Sequence, residues 1–214
     1  MTSAAQTVDS LIASHIAGTL PLPAHVLVAA HLQLSDHNRG FAGDLERLGG
    51  LGLSQAQPIP LSDRDRRLAS LLDGPEPAAP PAAPQQQVGL FPPALRDFVG
   101  FDVADVPWRT KMPGFREHDV GEFDGCHINL FWIRPGRAIP SHTHGGLELT
   151  LVLDGAFNDV NGRYARGDIS IADEAVEHRP VAEKDRPCIG LAVTDAPLRL
   201  SGPLGRRLID IIGG

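Results

Sequence analysis

The chain has 214 residues, of which 42% are hydrophobic and 21% charged, with a formal net charge of −7 and two cysteines. This composition is typical of a globular protein, excludes a disulfide framework and gives little electrostatic support for direct nucleic-acid binding, which rests on phosphate neutralisation. No apolar run approaches the roughly 20 residues of a membrane span and the N-terminus lacks the basic and apolar regions of a signal peptide, so we expect no membrane partner and a cytoplasmic location.

Residues 1–73 predict a small bundle of four helices. Thr7 is a suitable N-cap for the first helix, Pro23 suits the first turn of the second, and Ser62 opens the fourth. The third helix is expected to end at Gly49-Gly50. A bundle of about 70 residues has a thin core. We therefore expect a partner to complete one of its apolar faces.

The rest of the chain predicts a linker and an antiparallel β domain. Residues 74–93, GPEPAAPPAAPQQQVGLFPP, have the proline-rich composition of an extended linker. Short β segments follow, separated by turns such as Asn161-Gly162, and their regular spacing indicates a β-sandwich or barrel. The candidate strands are 115–121, 126–134, 147–153, 156–160, 162–165, 168–171, 176–181 and 188–194.

The predicted fold class is therefore α+β and multidomain. A small helical bundle at 1–73 and a proline-rich linker at 74–93 precede an antiparallel β-barrel or jelly roll at 94–214. The segment RRLIDIIGG near the C-terminus suits either a last helix or an edge strand.

The most informative stretch is Gly136–Gly155, GRAIPSHTHGGLELTLVLDG. His142 and His144 are two residues apart, so on a strand both imidazoles project from the same face. Gly145-Gly146 is able to bend the chain and bring the carboxylate of Glu148 back toward them. Two imidazoles and a carboxylate, joined by a distant histidine, form a mixed nitrogen and oxygen shell suited to Zn, Fe, Mn or Ni.

The distant histidine is expected from GDISIADEAVEHRP, where a hairpin would return His178 to the other three ligands. Nearby Asp173, Glu174 and Glu177 are interpreted as solvated turn carboxylates. Four protein ligands would suit a closed structural or regulatory zinc site, and added water positions would suit catalysis. The spacing leaves both open.

Three further residues are weaker candidates. His127 has the same strand parity as Asn129 and is expected to face the interior of the β domain, in a core or supporting role. Cys126 and Cys188 are interpreted as small buried hydrophobes, with oxidation as a trigger if either lies near the metal. No catalytic nucleophile, phosphate loop or dinucleotide fingerprint is present, so no catalytic residue is predicted.

These residues resemble a known family. The spacing from Gly136 to Gly155, with the later Gly167 and His178, is similar to the paired motifs of cupins. The block PGRAIPSHTHGGLELTLVLDGAFNDVNGRYARGDISIADEAVEHRPVA closely resembles the ChrR-like anti-sigma factors, and HIAGTLPLPAHVLVAAHLQLS resembles their early segment. In that family a cupin follows a small helical domain that binds a group IV (ECF) sigma factor. The likeness covers nearly the whole chain.

The resemblance implies a transcriptional regulator, which favours a regulatory metal-binding cupin over an enzyme. The helices would hold a sigma factor away from core RNA polymerase, and the cupin would sense singlet oxygen or organic peroxides. The zinc ligands that it implies by position are His142, His144, Glu148 and His178. Relatives with a zinc-binding helical domain carry His, three residues, Cys, two residues, Cys.

The helical half departs from that last pattern. His31 stands at the histidine position, but Ser35 and Asn38 occupy the two cysteine positions. Because thiolates supply much of the affinity for zinc, no metal is expected in this half. Two alternatives stay open: a metal-dependent cupin enzyme, for instance of dioxygenase type, and a small-molecule-binding cupin whose helices form a homodimer.

Overall fold

The computed structural model describes residues 7–75, 89–196 and 198–200, and for His144 and 198–200 it describes the main chain alone. The helices are α1 (Val8–Ile16), α2 (Leu22–Leu34), α3 (Asp36–Ser54), α4 (Arg64–Leu72) and α5 (Pro93–Val99), followed by a 3-10 turn at Val103–Asp105. The strands are β1 (Arg109–Met112), β2 (Phe115–Phe123), β3 (Cys126–Ile133), β4 (His142–His144), β5 (Glu148–Asp154), β6 (Ala156–Asp159), β7 (Gly162–Ala165), β8 (Ile169–Ala172), β9 (Val181–Ala182), β10 (Cys188–Thr194) and β11 (Leu198–Leu200). None of the described helices combines the length and the apolar character needed to cross a bilayer.

The first two helices begin where the sequence predicts. Thr7 Oγ1 accepts a hydrogen bond from the Ser10 amide (3.2 Å) and Ser10 Oγ accepts one from the Thr7 amide (2.9 Å), which closes a capping box. Pro23 lies in the first turn of α2, where its missing amide hydrogen breaks no helical bond. The consecutive residues 26–28 of α2 are all buried. Since successive helical residues point in different directions, α2 is an interior helix.

The third and fourth helices differ from the prediction. α3 passes through Gly49 and Gly50 and ends at Ser54, so the predicted end at Gly49-Gly50 is wrong. Each glycine disfavours a helix by only about 1 kcal/mol, and propagation of an existing helix adds one hydrogen bond per residue. α4 begins at Arg64 rather than Ser62, after Asp63 in the left-handed conformation (φ 56°).

Contacts divide the chain into two units, Met1–Leu45 with Gly89–Gly214, and Glu46–Val88. In the first unit, α1 and α2 share one hydrophobic core with α5 and with strands β3, β5 and β10. Phe91, inside the predicted linker, is 1% exposed and belongs to this core. In the second unit, every described residue from 46 to 75 is exposed. That residues 1–73 and 94–214 are separate domains, joined by a linker at 74–93, stays a prediction.

The strands form three antiparallel sheets. One has six strands in the order β1-β2-β3-β10-β5-β8, one has the order β7-β6-β9, and β11 pairs with β4. The predicted antiparallel sandwich that follows a helical segment is confirmed, with its strands in separate sheets rather than in one closed barrel.

The centre of the six-stranded sheet is buried by the helices on one face. The register sets Leu191 of β10 between Leu130 of β3 and Leu151 of β5. All three leucines belong to the core that contains α2, and each is at most 1% exposed. The alternate residues of the same strands point to the opposite face, where the candidate site lies.

Most predicted strands agree with the structure to within about two residues. The prediction at 176–181 is wrong in extent, because only Val181–Ala182 is a strand and His178 forms an isolated bridge. The short elements α5, β1 and β4 were not predicted; they have too few residues to show a period. The RRLIDIIGG segment lies outside the described residues.

Candidate metal centre

Two strand starts and one loop carry the candidate ligands. His142 opens β4, Glu148 opens β5, and His178 pairs with His142 in an antiparallel bridge whose two amide-to-carbonyl distances are both 3.1 Å. The turn after β5 requires glycine. Gly155 has φ 69°, and a Cβ there would overlap the carbonyl oxygen of Pro187.

The three side chains converge in a buried position. His142 and His178 are each 3% exposed, and Glu148 is 9% exposed. One ligand atom from each lies within 4.8 Å of the others, and the Nε2 atoms of the two histidines are 2.9 Å apart. Within the part of the chain that the structure describes, no other three His, Cys, Asp or Glu side chains converge in this way.

The hydrogen bonds of the two imidazoles fix their tautomers. Nδ1 of His142 lies 2.9 Å from the carbonyl oxygen of Pro140, and Nδ1 of His178 lies 3.1 Å from Oδ2 of Asp159. Both partners accept, so both Nδ1 atoms carry the proton, and in neutral rings both Nε2 atoms offer a lone pair. Two lone pairs 2.9 Å apart repel unless a cation lies between them. The residues therefore fit a metal ion bound through both Nε2 atoms.

Two supporting residues were not predicted from the sequence. The side chain of Asp159 is fully buried against His178, and Thr150 Oγ1 donates a 2.8 Å hydrogen bond to Oε1 of Glu148. Such partners orient metal ligands, and a carboxylate that accepts from a histidine also raises the basicity of that imidazole. Asp159 is the last residue of β6, far in sequence from His178, and its contact with His178 depends on the pairing of β6 with β9. Only the sheet register reveals it.

The other residues singled out from the sequence lie as follows. The main chain of His144 pairs with Leu198, and its side chain lies outside the described residues. The turn carboxylates are exposed as predicted: Asp173, Glu174 and Glu177. His127 borders the cavity described next, with Nε2 3.5 Å from Oδ1 of Asp119.

A cavity of about 730 Å³ adjoins the three ligands. It is lined mainly by apolar side chains, among them Phe131, Ile139 and Phe157, and its volume falls in the range of small-molecule sites. His142, Glu148 and His178 all border it. A metal ion held by these residues would therefore face a space large enough for a ligand.

The helical segment uses His31 in a different way. Its ring lies 3% exposed, with Nδ1 2.6 Å from the carbonyl oxygen of Gly167 and Nε2 2.7 Å from Nδ2 of Asn38. Nδ1 therefore donates, and Nε2 accepts from the Asn38 amide. Burial lowers the pKa of His31, partly offset by the Gly167 carbonyl and the charge of Asp168. The expectation that this half holds no metal stays a prediction.

The two cysteines are buried, as predicted. Burial, with smaller contributions from the charges of Asp154 and Glu183, raises the pKa of Cys188 to about 12. Burial also raises the pKa of Cys126. Because the thiolate is the reactive species, these thiols are poor nucleophiles, and the structure does not favour oxidation of either one as a trigger.

The antiparallel sandwich, its glycine-framed strands and its His–Glu–His cluster define a cupin domain. The family model described as the ChrR cupin-like domain matches residues 97–196. Anti-sigma-E factor ChrR of Cereibacter sphaeroides is 42% identical over 194 residues, which is 90% of each protein. The crystal structure of Rhodobacter sphaeroides SigE in complex with the anti-sigma ChrR matches at 41% identity and a TM-score of 0.71, over 87% of this chain and 96% of that chain.

This chain belongs to the ChrR family of anti-sigma factors. The predicted resemblance is confirmed over both the helical and the β parts of the sequence.

Proposed function

We propose that this protein is a cytoplasmic anti-sigma factor that binds an ECF sigma factor through its helices and senses oxidative stress through the cupin domain. The observation that carries the proposal is the helical segment at 46–75, which contains two helical stretches and not one buried residue. The similarity to a ChrR solved together with SigE indicates the kind of partner.

The exposed side chains of this segment are strongly apolar. On α4, Leu68, Leu71 and Leu72 are spaced as neighbours on one helical face and are 43%, 79% and 76% exposed. On α3, Leu48 and Leu51 are 66% and 64% exposed. Burying one leucine is worth about 1.5–3 kcal/mol. A sigma factor that covers the exposed leucines of α4 or of α3 would therefore stabilise the helix that it covers and gain affinity.

Charged residues frame the apolar face of α4. Arg64, Arg66 and Arg67 are exposed, and Arg66 contacts Asp63 at 2.5 Å. A rim of arginines around an apolar centre is typical of protein interfaces. We infer that the partner presents apolar side chains surrounded by acidic ones.

The cupin metal centre is proposed as the sensory element. His142, Glu148 and His178 would hold the ion, with His144 as the fourth ligand proposed from the family motif. Zinc is the proposed metal, and Fe, Mn and Ni are the alternatives that this nitrogen and oxygen set accepts. A bound divalent ion would supply a Lewis acid at the wall of the cavity. Asp159 and Thr150 would hold the ligands in place.

The test is co-expression with each ECF sigma factor of the same genome, followed by gel filtration. Leu71→Glu combined with Leu72→Glu is expected to weaken the complex at least about 30-fold, the loss typical of interface hot spots. Val160→Glu is the matched control, because Val160 is a 73% exposed apolar residue in the cupin unit. No complex, or a complex that the double leucine variant leaves intact, would contradict the proposal.

One observation keeps a metal-dependent enzyme as the second candidate. The cavity of about 730 Å³ places space for a substrate next to the ligand cluster, which an enzyme of dioxygenase type requires. Turnover of a small oxygenated substrate by the Fe or Mn protein, absent from the Zn protein, would favour this candidate over the regulator.

A further inference from the structure

We propose that the cavity beside the metal centre binds a small, neutral, largely apolar molecule with one hydroxyl group, such as a phenol, and that Asn129 recognises that hydroxyl. The inference rests on the proposed sensory role of the cupin domain, because it names the class of molecule that this domain would bind. Three features support it: the register of the central strands, the Oδ1 atom of Asn129, which has no hydrogen-bond partner within the described residues, and the charges around the cavity.

The register builds the polar part of the cavity wall from one row of residues. Ala192 of β10 lies directly between Asn129 of β3 and Thr150 of β5, and all three border the cavity. The small alanine leaves space between the two polar side chains. Glu148 lies two residues before Thr150 on β5, so the row is about 7 Å from the metal ligands.

Asn129 presents an acceptor that has no partner. Its Oδ1 atom is inaccessible to a water-sized probe and has no hydrogen bond within the described residues. A ligand would reach this oxygen once the amide turns toward the cavity that Asn129 borders. Thr150 uses its proton on Glu148, so its oxygen offers only lone pairs to the cavity. A buried acceptor without a donor is unfavourable. The row therefore favours a ligand that donates, and a hydroxyl group is the smallest neutral donor.

The apolar floor of the cavity fits the rest of such a molecule. The ring of Phe131 lies directly over Gly190, where an added Cβ would overlap it. Phe157, Ile139 and Phe115 complete an apolar surface around the same space. An aromatic or aliphatic body would bury its surface against these apolar side chains, which favours binding.

The charges at the cavity argue against an ionic ligand. Glu117, Glu122 and Asp195 border it, whereas Lys111 lies 3.6 Å from the Glu117 carboxylate and is partly neutralised by it. A carboxylate would be repelled by these three residues, although a metal ion at the other end of the cavity would attract it. An ammonium ligand would be repelled at the other end by a metal ion between His142 and His178. A neutral hydroxyl compound avoids both.

The experiment measures binding of three probes to the full-length, metal-loaded protein by calorimetry: 4-ethylphenol, its methyl ether and 4-ethylbenzoate. The ether has nearly the same shape but no donor, so we expect 4-ethylphenol to bind at least about tenfold more tightly. Benzoate is expected to bind more weakly than the phenol. Equal binding of phenol and ether, tighter binding of benzoate, or no phenol binding would each overturn the inference.

Two variants locate the site. Asn129→Leu is expected to abolish the preference for phenol over ether, and Gly190→Ala to weaken both probes, because the new methyl group moves the Phe131 ring into the cavity. Asn158→Leu, an exposed asparagine on β6, is the matched control and should bind as the wild type does. A phenol preference that survives Asn129→Leu would overturn the assignment. If that variant fails to fold, the comparison of probes on the wild-type protein still decides the ligand class.

The outcome is independent of sigma-factor binding. Gel filtration of the same protein with the sigma factor tests the proposed function without any probe. A sigma complex without phenol binding would overturn only the present inference, and phenol binding without a sigma complex would overturn only the proposed regulator.

Discussion

His31 is expected to be one of the most important single residues for the stability of the larger unit. It connects three parts of the fold: α2, which carries it, α3 through Asn38, and the loop before β8 through Gly167. The ring is 3% exposed and both nitrogens are used. Removal of the imidazole leaves the buried carbonyl of Gly167 and the half-buried side-chain amide of Asn38 without their partner.

The expected magnitude follows from these contacts. Each buried group left unpaired costs about 1–3 kcal/mol, and the lost ring volume adds a cavity term. We therefore expect His31→Ala to lower the free energy of unfolding by about 3–5 kcal/mol. Asn38→Ala should cost about 1–3 kcal/mol, because it leaves the buried Nε2 of His31 without its donor.

The burial of His31 also makes the free energy of unfolding depend on pH, and the direction follows from the pKa. Burial disfavours the imidazolium and lowers the pKa of His31 below its ordinary value of 6.5. As pH falls below about 6.5, the unfolded chain takes up the proton before the folded one. Stability therefore decreases toward acid, by at most about 1.4 kcal/mol per pH unit, and is insensitive to His31 above neutrality.

Urea denaturation followed by tryptophan fluorescence measures both effects, since Trp108 and Trp132 pack against the main core. His37→Ala is the matched control, because His37 is exposed on α3 and its loss should change stability by less than about 0.5 kcal/mol. The difference between wild type and His31→Gln should shrink as pH falls from 7.5 to 5.5. If His31→Ala is as stable as His37→Ala, the argument from burial is wrong.

Three further predictions concern the metal centre and the thiols. His142→Ala should lower the metal content measured by elemental analysis, while Ser35→Ala leaves it unchanged; a wild-type stoichiometry in His142→Ala would count against the site. Asp159→Asn should weaken metal affinity about 10–100-fold in a chelator competition, and an unchanged affinity would show that the buried carboxylate does not support His178. Cys188, with its pKa raised to about 12, should resist iodoacetamide at pH 8 until the protein is unfolded, and rapid labelling of the native protein would refute its burial.

Sequence reasoning succeeded where a local pattern fixes the structure. The N-cap at Thr7 and the apolar run of β5 are determined by near neighbours. The hairpin was predicted as well, but one residue late, because its loop is Val160-Asn161 and Gly162 opens β7. The structure brings together His142, Glu148 and His178, which the histidine and glycine spacing singled out. Their role as metal ligands stays a prediction.

It failed where a contact depends on distant residues. The amide of Asn38, the carbonyl of Gly167 and the ring of His31 meet only after α2 has packed on the sheet. One available signal was overlooked, since the α2 sequence is apolar all round, which is typical of a helix covered on every side. Asp159 and Asn129 carry no local signal, because the register alone sets their neighbours.

The place of β10 in the sheet has a consequence for synthesis on the ribosome. β10 completes the surface that covers α2, yet roughly 150 residues separate the end of α2 from the start of β10. At a synthesis rate of about 5–20 residues per second, α2 is complete on the order of 10–30 s before β10 is made. During that interval the apolar side chains of Leu27 and its neighbours are accessible to chaperones or to a binding partner. The larger unit can therefore complete its folding only after β10, the last long strand, has been synthesised.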